Sequence, residues 1–420
     1  MAPPKSQLGI IFFTTFLDLL GVGIIIPIIA PLFLDVERHL LPDHYSFQQR
    51  TILMGVLISS FSLMQFFGSS FLGALSDKLG RKKVLFGSII GTTVGYLIIG
   101  SGIELGATWM LFAGRMLNGF CAGNLAVIYS SLADISKPED KSKNFGMVGA
   151  AFGIGFVIGP FLGGQLANNE LVSWFTYATP FWFSAGLAVV NLALIYFRFR
   201  ETIGAKVNRS LNFTTGFRNI RTAFTNESLR SIFAVSFLFI FGFTFFTQFI
   251  QVYLIENFDY READIGQLFG YMGIWIALTQ GVFIRPVSKR FTAPQVLRFS
   301  LPLLAVAMLL LLVPNVSWQL FLVLPFISIF QGLSSPNITA TVSNLAGPSI
   351  QGEILGINQS VNAVAQMLPP LIGGVIVGLD IRMPIYGAAL FIAASWLVLT
   401  WVLSKRANRS SHAPAPSIPG

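Results

Sequence analysis

Two charged residues stand where charge is costly. Asp18 lies in "FLDLLGVGIIIPII", within a run that otherwise carries no charge from Leu8 to Leu34. Arg115 lies in "GRMLNGFCAGN", inside another apolar run. Burial and a nearby cation act on a carboxylic acid in opposite directions. An acid whose distance to a guanidinium changes can therefore take up a proton and later release it. A permanent ion pair that merely ties two helices together is the other reading. At about 1.5 Å per residue, Asp18 sits about 15 Å from the inner end of its run. Arg115 sits about 10 Å from the outer end of its own. In a hydrocarbon core about 30 Å thick the two depths differ by about 5 Å. A pair is expected if the two helices are neighbours. Thr14 and Thr15, one turn from Asp18, could add hydroxyls.

The elements that hold these residues follow from composition. Of 420 residues, 54% are hydrophobic and 11% charged, against about 25% charged in soluble proteins. Apolar runs of about 20 residues each span a bilayer. Twelve are expected, at 8–34, 51–74, 84–103, 108–132, 145–167, 179–198, 230–254, 264–284, 299–315, 318–338, 354–378 and 384–404. They are too long and continuous for alternating barrel strands. The fold class is an all-α membrane protein, and the first run reads as a retained span.

The formal charge of +9 could suggest nucleic acid, but the placement of the basic residues argues against it. With the N-terminus inside, 22 of the 27 Lys and Arg fall on inner segments and four on outer loops. Those four are Arg38, Arg50, Arg261 and Arg382, which leaves Arg115 within a span. This bias orients the chain with both termini cytoplasmic. Cys121 is the single cysteine, and His39, His44 and His412 fall in a loop or the tail. No metal site, cofactor or nucleic-acid partner is expected.

The longest inner connection, Arg198 to Arg230, separates six spans from six. "GMVGAAFGIGFVIGPFLGG" (Gly146 to Gly164) aligns without a gap on "GINQSVNAVAQMLPPLIGG" (Gly356 to Gly374). Two pseudo-symmetric six-helix bundles are therefore expected at 1–200 and 230–404. Between them 201–229 forms a cytoplasmic linker with a surface helix, and 405–420 is a disordered cytoplasmic tail. Such repeats build transporters with a site between the halves.

The loop between spans 2 and 3 reads "GALSDKLGRKK". Gly73 permits close helix contact, Gly80 a tight turn, and Asp77 and Arg81 are spaced to pair. A plain basic turn would read similarly. The stretch resembles the signature loop of the major facilitator superfamily. That resemblance implies a cytoplasmic gate of Gly73, Asp77, Gly80, Arg81 and, at the inner end of span 4, Asp134. It also implies docking of this relay near Gly352 to Ile354. "GRMLNG" resembles the family's arginine-bearing motif. "GIGFVIGPFLGG", with Gly155, Gly159, Pro160, Gly163 and Gly164, resembles the motif of its proton-coupled antiporters, beside a plain packing role for small residues. Residues 10–165 most resemble the drug/proton antiporter branch, particularly tetracycline-exporter-like members. Spans 3 and 9 carry no acid where tetracycline exporters carry one in span 3, so the resemblance implies export without pointing to tetracycline.

Amides and hydroxyls in the spans are expensive in lipid and mark a candidate substrate cavity. They are Asn118, Thr244, Gln248, Gln251, Gln331, Asn358, Asn362 and Gln366. Among many phenylalanines they suit an amphiphilic organic molecule. The expected function is export of such a solute or drug in exchange for protons, by alternating access, from a monomer in a bacterial inner membrane. The alternatives are proton-coupled uptake of a nutrient or siderophore-like metabolite, and a non-transporting receptor or scaffold. No phosphate loop or nucleophile–histidine pair points to an enzyme.

Overall fold

The computed structural model describes residues 5–35, 40–136, 141–203, 215–226, 229–343 and 351–411. Among them there are helices and no strands. In chain order these are α1 Lys5–Ile24, α2 Ile26–Leu34, α3 Phe47–Leu79, α4 Arg81–Glu104, α5 Thr108–Ala122, α6 Leu125–Ile135, α7 Lys141–Ala167 and α8 Thr179–Arg198. Then come α9 Thr215–Thr225, α10 Arg230–Phe258, α11 Glu262–Leu278, α12 Ile284–Arg290, α13 Ala293–Leu310, α14 Ser317–Ser343, α15 Gln351–Ile376 and α16 Met383–Ser411. Ten stretches among the described residues are long and apolar enough to cross a membrane. The remaining two expected spans lie on the glycine-rich α7 and α15, of 27 and 26 residues.

Three of the expected spans are interrupted. Span 1 breaks after Ile24 because Pro27, in the first turn of α2, has no N–H to continue the ladder. Span 4 tightens at Gly123 and Asn124, whose amides reach back three residues to Phe120 and Cys121. Span 8 carries a π-turn, Thr279–Phe283, between α11 and α12. At the C-terminus α16 runs to Ser411, so helix replaces the first seven residues of the expected disordered tail. Residues 412–420 lie outside the described part, as do 204–214 of the linker.

The face carrying Lys5 and the Gly80–Arg81 turn is termed inner, the opposite one outer. Burial is organised by half. Phe233, Phe239, Phe245, Phe246, Phe269 and Leu301 sit in a core drawn from the second half, with Ala223 of the linker helix in it. An inner core of the first half joins Ile11, Leu72, Leu85, Ile89, Val127, Leu132, Ile195 and Phe199. The outer core is different: Ile28, Phe33, Met54, Leu57 and Phe181 of the first half share it with Phe249, Val252 and Val377 of the second. The halves are thus fused by apolar burial at the outer end.

Small residues let the backbones meet there. The Gly55 Cα faces the Pro370 backbone, and Gly374 faces Thr51 and Ile52. Thr51 Oγ1 donates to Gly374 O at 2.9 Å, and Ser59 Oγ to Met367 O at 2.7 Å. These bonds stitch α3 to α15 where side chains have no room.

Candidate functional site: an acid held by α8 and the junction between α5 and α6

Asp18 is placed by α1, whose break beyond Ile24 leaves it well inside the first half. Its two carboxylate oxygens have separate donors. Asn124 Nδ2 donates to Oδ2 at 2.8 Å, and Asn191 Nδ2 to Oδ1 at 3.1 Å. Asn124 lies at the junction between α5 and α6, where the turn is tightened while its own backbone stays right-handed helical. Asn191 projects from α8 and is fully buried. Its Oδ1 has no hydrogen-bond partner, nor has Thr14 Oγ1 on the same side of α1. The ionised acid therefore finds two neutral donors, and the protonated acid would find spare acceptors nearby after an amide rotation.

The expected pair with Arg115 is not formed. The guanidinium of Arg115 lies over the Phe61 ring, 4.6 Å from its centroid, and its Nε is buried without a partner. The physical reason is axial distance. Asp18 is level with Asn124, nine residues along the same span from Arg115, which corresponds to about 13 Å of helix rise. Counting inward from the ends of long, overhanging helices underestimated that separation. Tyr96 of α4 lies within electrostatic reach of both Asp18 and Arg115 and packs on Gly21, one turn beyond Asp18. It is 3% exposed. Tyr96, Asn124 and Asn191 were missed as site residues. A lone amide in an apolar span, such as Asn191 in "LAVVNLALIYFR", is the signal that could have found one of them, because it demands a partner.

Gly155, Gly159 and Gly163 put one side of α7 on α1. Each Cα meets Leu19 and Leu20, Gly23, and Ile24 in turn. Gly164 and Pro160 turn the other side of α7 to Gly266 of α11, in the second half. The helix beside Asp18 is thus one packed layer away from the opposite half.

The inner turn brings together the expected gate residues. Arg81 binds Asp77 at 2.6 Å and Asp134 at 3.0 Å, and donates to Ser76 Oγ at 2.6 Å. Gly80 has φ +108, which a side chain would strain. A methyl group on Gly73 would lie 3.7 Å from the Ala126 Cβ, an ordinary contact. Glu201, just past α8, was not anticipated. Its carboxylate accepts from the backbone amides of Arg81 at 2.8 Å and Lys82 at 3.2 Å, at the start of α4. A carboxylate there is favoured by the unpaired amides and the helix dipole. The side chains of 351–353 lie outside the described residues, so the expected docking at Gly352 does too; Ile354 is buried in the second-half core.

The polar residues of the second half separate into two groups. Asn358 and Asn362 both accept from Ser236 Oγ, at 3.1 and 3.3 Å, which ties α15 to α10. Thr244 turns its hydroxyl to Ile240 O at 2.7 Å. Gln251 and Gln331 are buried with an unpartnered Oε1, whereas Gln248 and Gln366 are half-buried. Asn118 is buried with neither amide atom partnered and presses on Gly95 of α4, away from the second half.

Long apolar helices, glycine-lined contacts between them and a half-buried acid among them fit a membrane transporter. The chain belongs to the Major Facilitator Superfamily: the family model matches residues 11–368, with a second match over 274–419. It is 28% identical to the class C tetracycline resistance protein of Escherichia coli, over 95% of this chain and 93% of that one. It is 27% identical to the quinolone resistance protein NorA of Staphylococcus aureus, over 97% and 98%. Among solved structures, the D-xylose–proton symporter superposes with a TM-score of 0.73 at 14% identity, covering 94% of this chain and 97% of that one. The human organic anion transporter MFSD10 gives 0.72 at 22% identity, over 94% and 100%. These structural likenesses concern the fold, which is that of a multi-pass integral membrane protein.

Proposed function

We propose that the chain exports an amphiphilic organic solute in exchange for protons, with Asp18 as the proton carrier. The observation that carries this reading is a half-buried carboxylate held by two neutral amides, one at the junction between α5 and α6 and one on α8, on a helix whose other side packs on α7. Protonation removes one acceptor from Asp18, so one of its two amide bonds must be remade. Asn191 Oδ1 and Thr14 Oγ1 offer acceptors for the new proton. A shift of α1 that follows is passed through the glycine face of α7 to α11. Arg115 is a second-stage partner, which Asp18 would approach only if α1 and α5 slide. In this reading Asp77, Arg81, Asp134 and Glu201 form the cytoplasmic gate. Gln248, Gln251, Gln331 and Gln366 face the solute.

The relatives' names, tetracycline and quinolone resistance, support export of drugs over uptake. The basic residues support a chain with both termini in the cytoplasm of a bacterium, in its inner membrane. The same reading takes 1–200 and 230–404 as the moving halves of a monomer.

Substrate-driven proton flux in proteoliposomes tests the proposal, with a panel that includes a tetracycline and a quinolone. Asp18→Asn should bind solute but lose its response to an imposed pH gradient by at least about a hundredfold, since no charge change remains. Wild-type flux from this variant would assign the proton to another group and leave Asp18 a structural tie. Transport direction in everted vesicles separates export from uptake.

A further inference from the structure

A groove of about 610 Å3 opens at the inner face between the ends of α1 and α8, lined by Gln7, Ile10, Leu194, Phe197, Arg198 and Arg200. Gln7 bridges its floor. Gln7 Nε2 donates to Arg198 O at 3.1 Å, and Gln7 Oε1 accepts from Arg200 N at 3.1 Å. Between the two arginines Phe199 is extended and 2% exposed, sunk in the inner core of the first half. Arg198, the last residue of α8, and Arg200 are both exposed and both line the groove.

These two cations have no carboxylate partner among the described residues. The neighbouring acids are already used. Glu201 accepts from four backbone amides, those of Arg81, Lys82, Thr202 and Ile203. Asp134 holds Arg81 and the Thr202 hydroxyl. Apolar walls run away from the charges along Ile10 and Leu194, and Tyr196 and Phe197 are exposed beside them. Aromatic residues of this kind sit at headgroup level in a bilayer.

We propose that this groove binds the phosphate headgroup of an anionic phospholipid, with an acyl chain lying along Ile10 and Leu194. Two exposed cations side by side match the charge of a phosphodiester, and the apolar walls match a chain that a soluble phosphate lacks. Basic hollows between spanning helices on the cytoplasmic side are suited to such headgroups. The site is independent of Asp18 and of the direction of transport.

The test is native mass spectrometry of the delipidated full-length protein, titrated with phosphatidylglycerol, phosphatidylcholine or soluble glycerol phosphate. Phosphatidylglycerol should bind in preference to phosphatidylcholine, and glycerol phosphate should compete only weakly. Arg198→Gln with Arg200→Gln should weaken phosphatidylglycerol binding about thirtyfold, at one step of attraction per cation. Arg198→Lys with Arg200→Lys should retain binding within about threefold, because the charge remains. The melting temperature of each lipid-free variant should match that of the parent, which shows that the fold is kept. Unchanged phosphatidylglycerol binding in the double glutamine variant would overturn the proposal. So would equal binding of phosphatidylcholine, or glycerol phosphate binding as tightly as the lipid.

Discussion

At the outer end the two halves meet backbone to backbone, Gly374 against Thr51 and Gly164 against Gly266, and an apolar core runs across the seam. At the inner end the strongest bonds stay within the first half, where Arg81 gathers Asp77 and Asp134 and Glu201 caps α4. Among the described residues, what crosses between the halves there is slight. Tyr129 hydrogen-bonds Gln359. The linker helix α9, seated on the second half through Ala223 and through Asn219 to Ser360 at 3.1 Å, touches α3 with Phe217. The outer closure thus depends on fit, which tolerates no added volume. The inner end depends on charges that one proton or one substitution can redistribute. An alternating-access carrier needs both ends to open, and the difference says which kind of change each end will feel.

The largest effect should come from adding volume at the seam. A methyl group on Gly374 would lie 2.6 Å from Thr51 O and 3.1 Å from Ile52 Cα, both backbone atoms. Overpacking of this kind costs about 1–3 kcal/mol. Gly374→Ala should therefore shift the population toward outer opening by about 5- to 150-fold. Labelling of a cysteine placed at Met54, which is fully buried in the outer core, in a Cys121→Ser background, should speed up while transport slows. Unchanged labelling would mean that the seam is not tightly packed during turnover.

Next in size is the inner charge cluster. Arg81→Gln leaves Asp77 and Asp134 without their shared cation, and the arginine side chain is only 7% exposed. Loss of hydrogen bonds to charged groups costs about 1.5–3 kcal/mol, reduced here because both acids are partly solvated. Turnover should fall about tenfold with little change in solute affinity, and Arg81→Lys should recover only part of it, since lysine lacks the forked geometry. Equal loss in kcat and affinity would move Arg81 from gate to binding site.

How these regions could be read from sequence differs in the same way. The Asp77–Arg81 pair is local, four residues apart on a continuous turn, so spacing alone predicts it. Asp134 joins it through a family likeness, and the geometry agrees at 3.0 Å. The ten stretches long and apolar enough to span follow from apolar runs. The partners of Asp18 do not follow, because Asn124 and Asn191 are 106 and 173 residues away and no periodicity links them to it. Depth arithmetic chose Arg115 instead. It assumed helices cut to the bilayer thickness, whereas α3 alone has 33 residues, about 50 Å of rise. Glu201 was equally hidden, since nothing local shows that a residue after α8 will cap α4.

A smaller effect is expected at the linker helix. The Phe217 ring is 5.2 Å from Phe66 and 6.0 Å from Phe67, centroid to centroid, in edge-on geometry. Aromatic pairs add about 0.5–1.5 kcal/mol beyond burial. Phe217→Ala should raise the inner-open population about 2- to 10-fold. Spin-label distances between the inner ends of α3 and α15 would show a larger share of long separations. If the distances are unchanged, α9 is a passenger on the second half and contributes nothing to inner closure.

The smallest effect tests whether charge matters at all at the outer end. Arg261 and Glu170 join the halves there at 2.7 Å, but their side chains are 72% and 70% exposed. An exposed pair of this kind is worth about 0–1 kcal/mol and is screened by salt. Beside it, Tyr177 donates to the buried Glu262 at 3.0 Å, where water competes far less. Glu170→Gln should therefore change transport less than about twofold in low salt, and not at all at high ionic strength. Tyr177→Phe should change it more, and the change should persist in salt because the lost bond is shielded. A large, salt-sensitive defect in Glu170→Gln would reverse the contrast. It would make the outer end a charge-operated closure like the inner one, and the packed glycines its hinge.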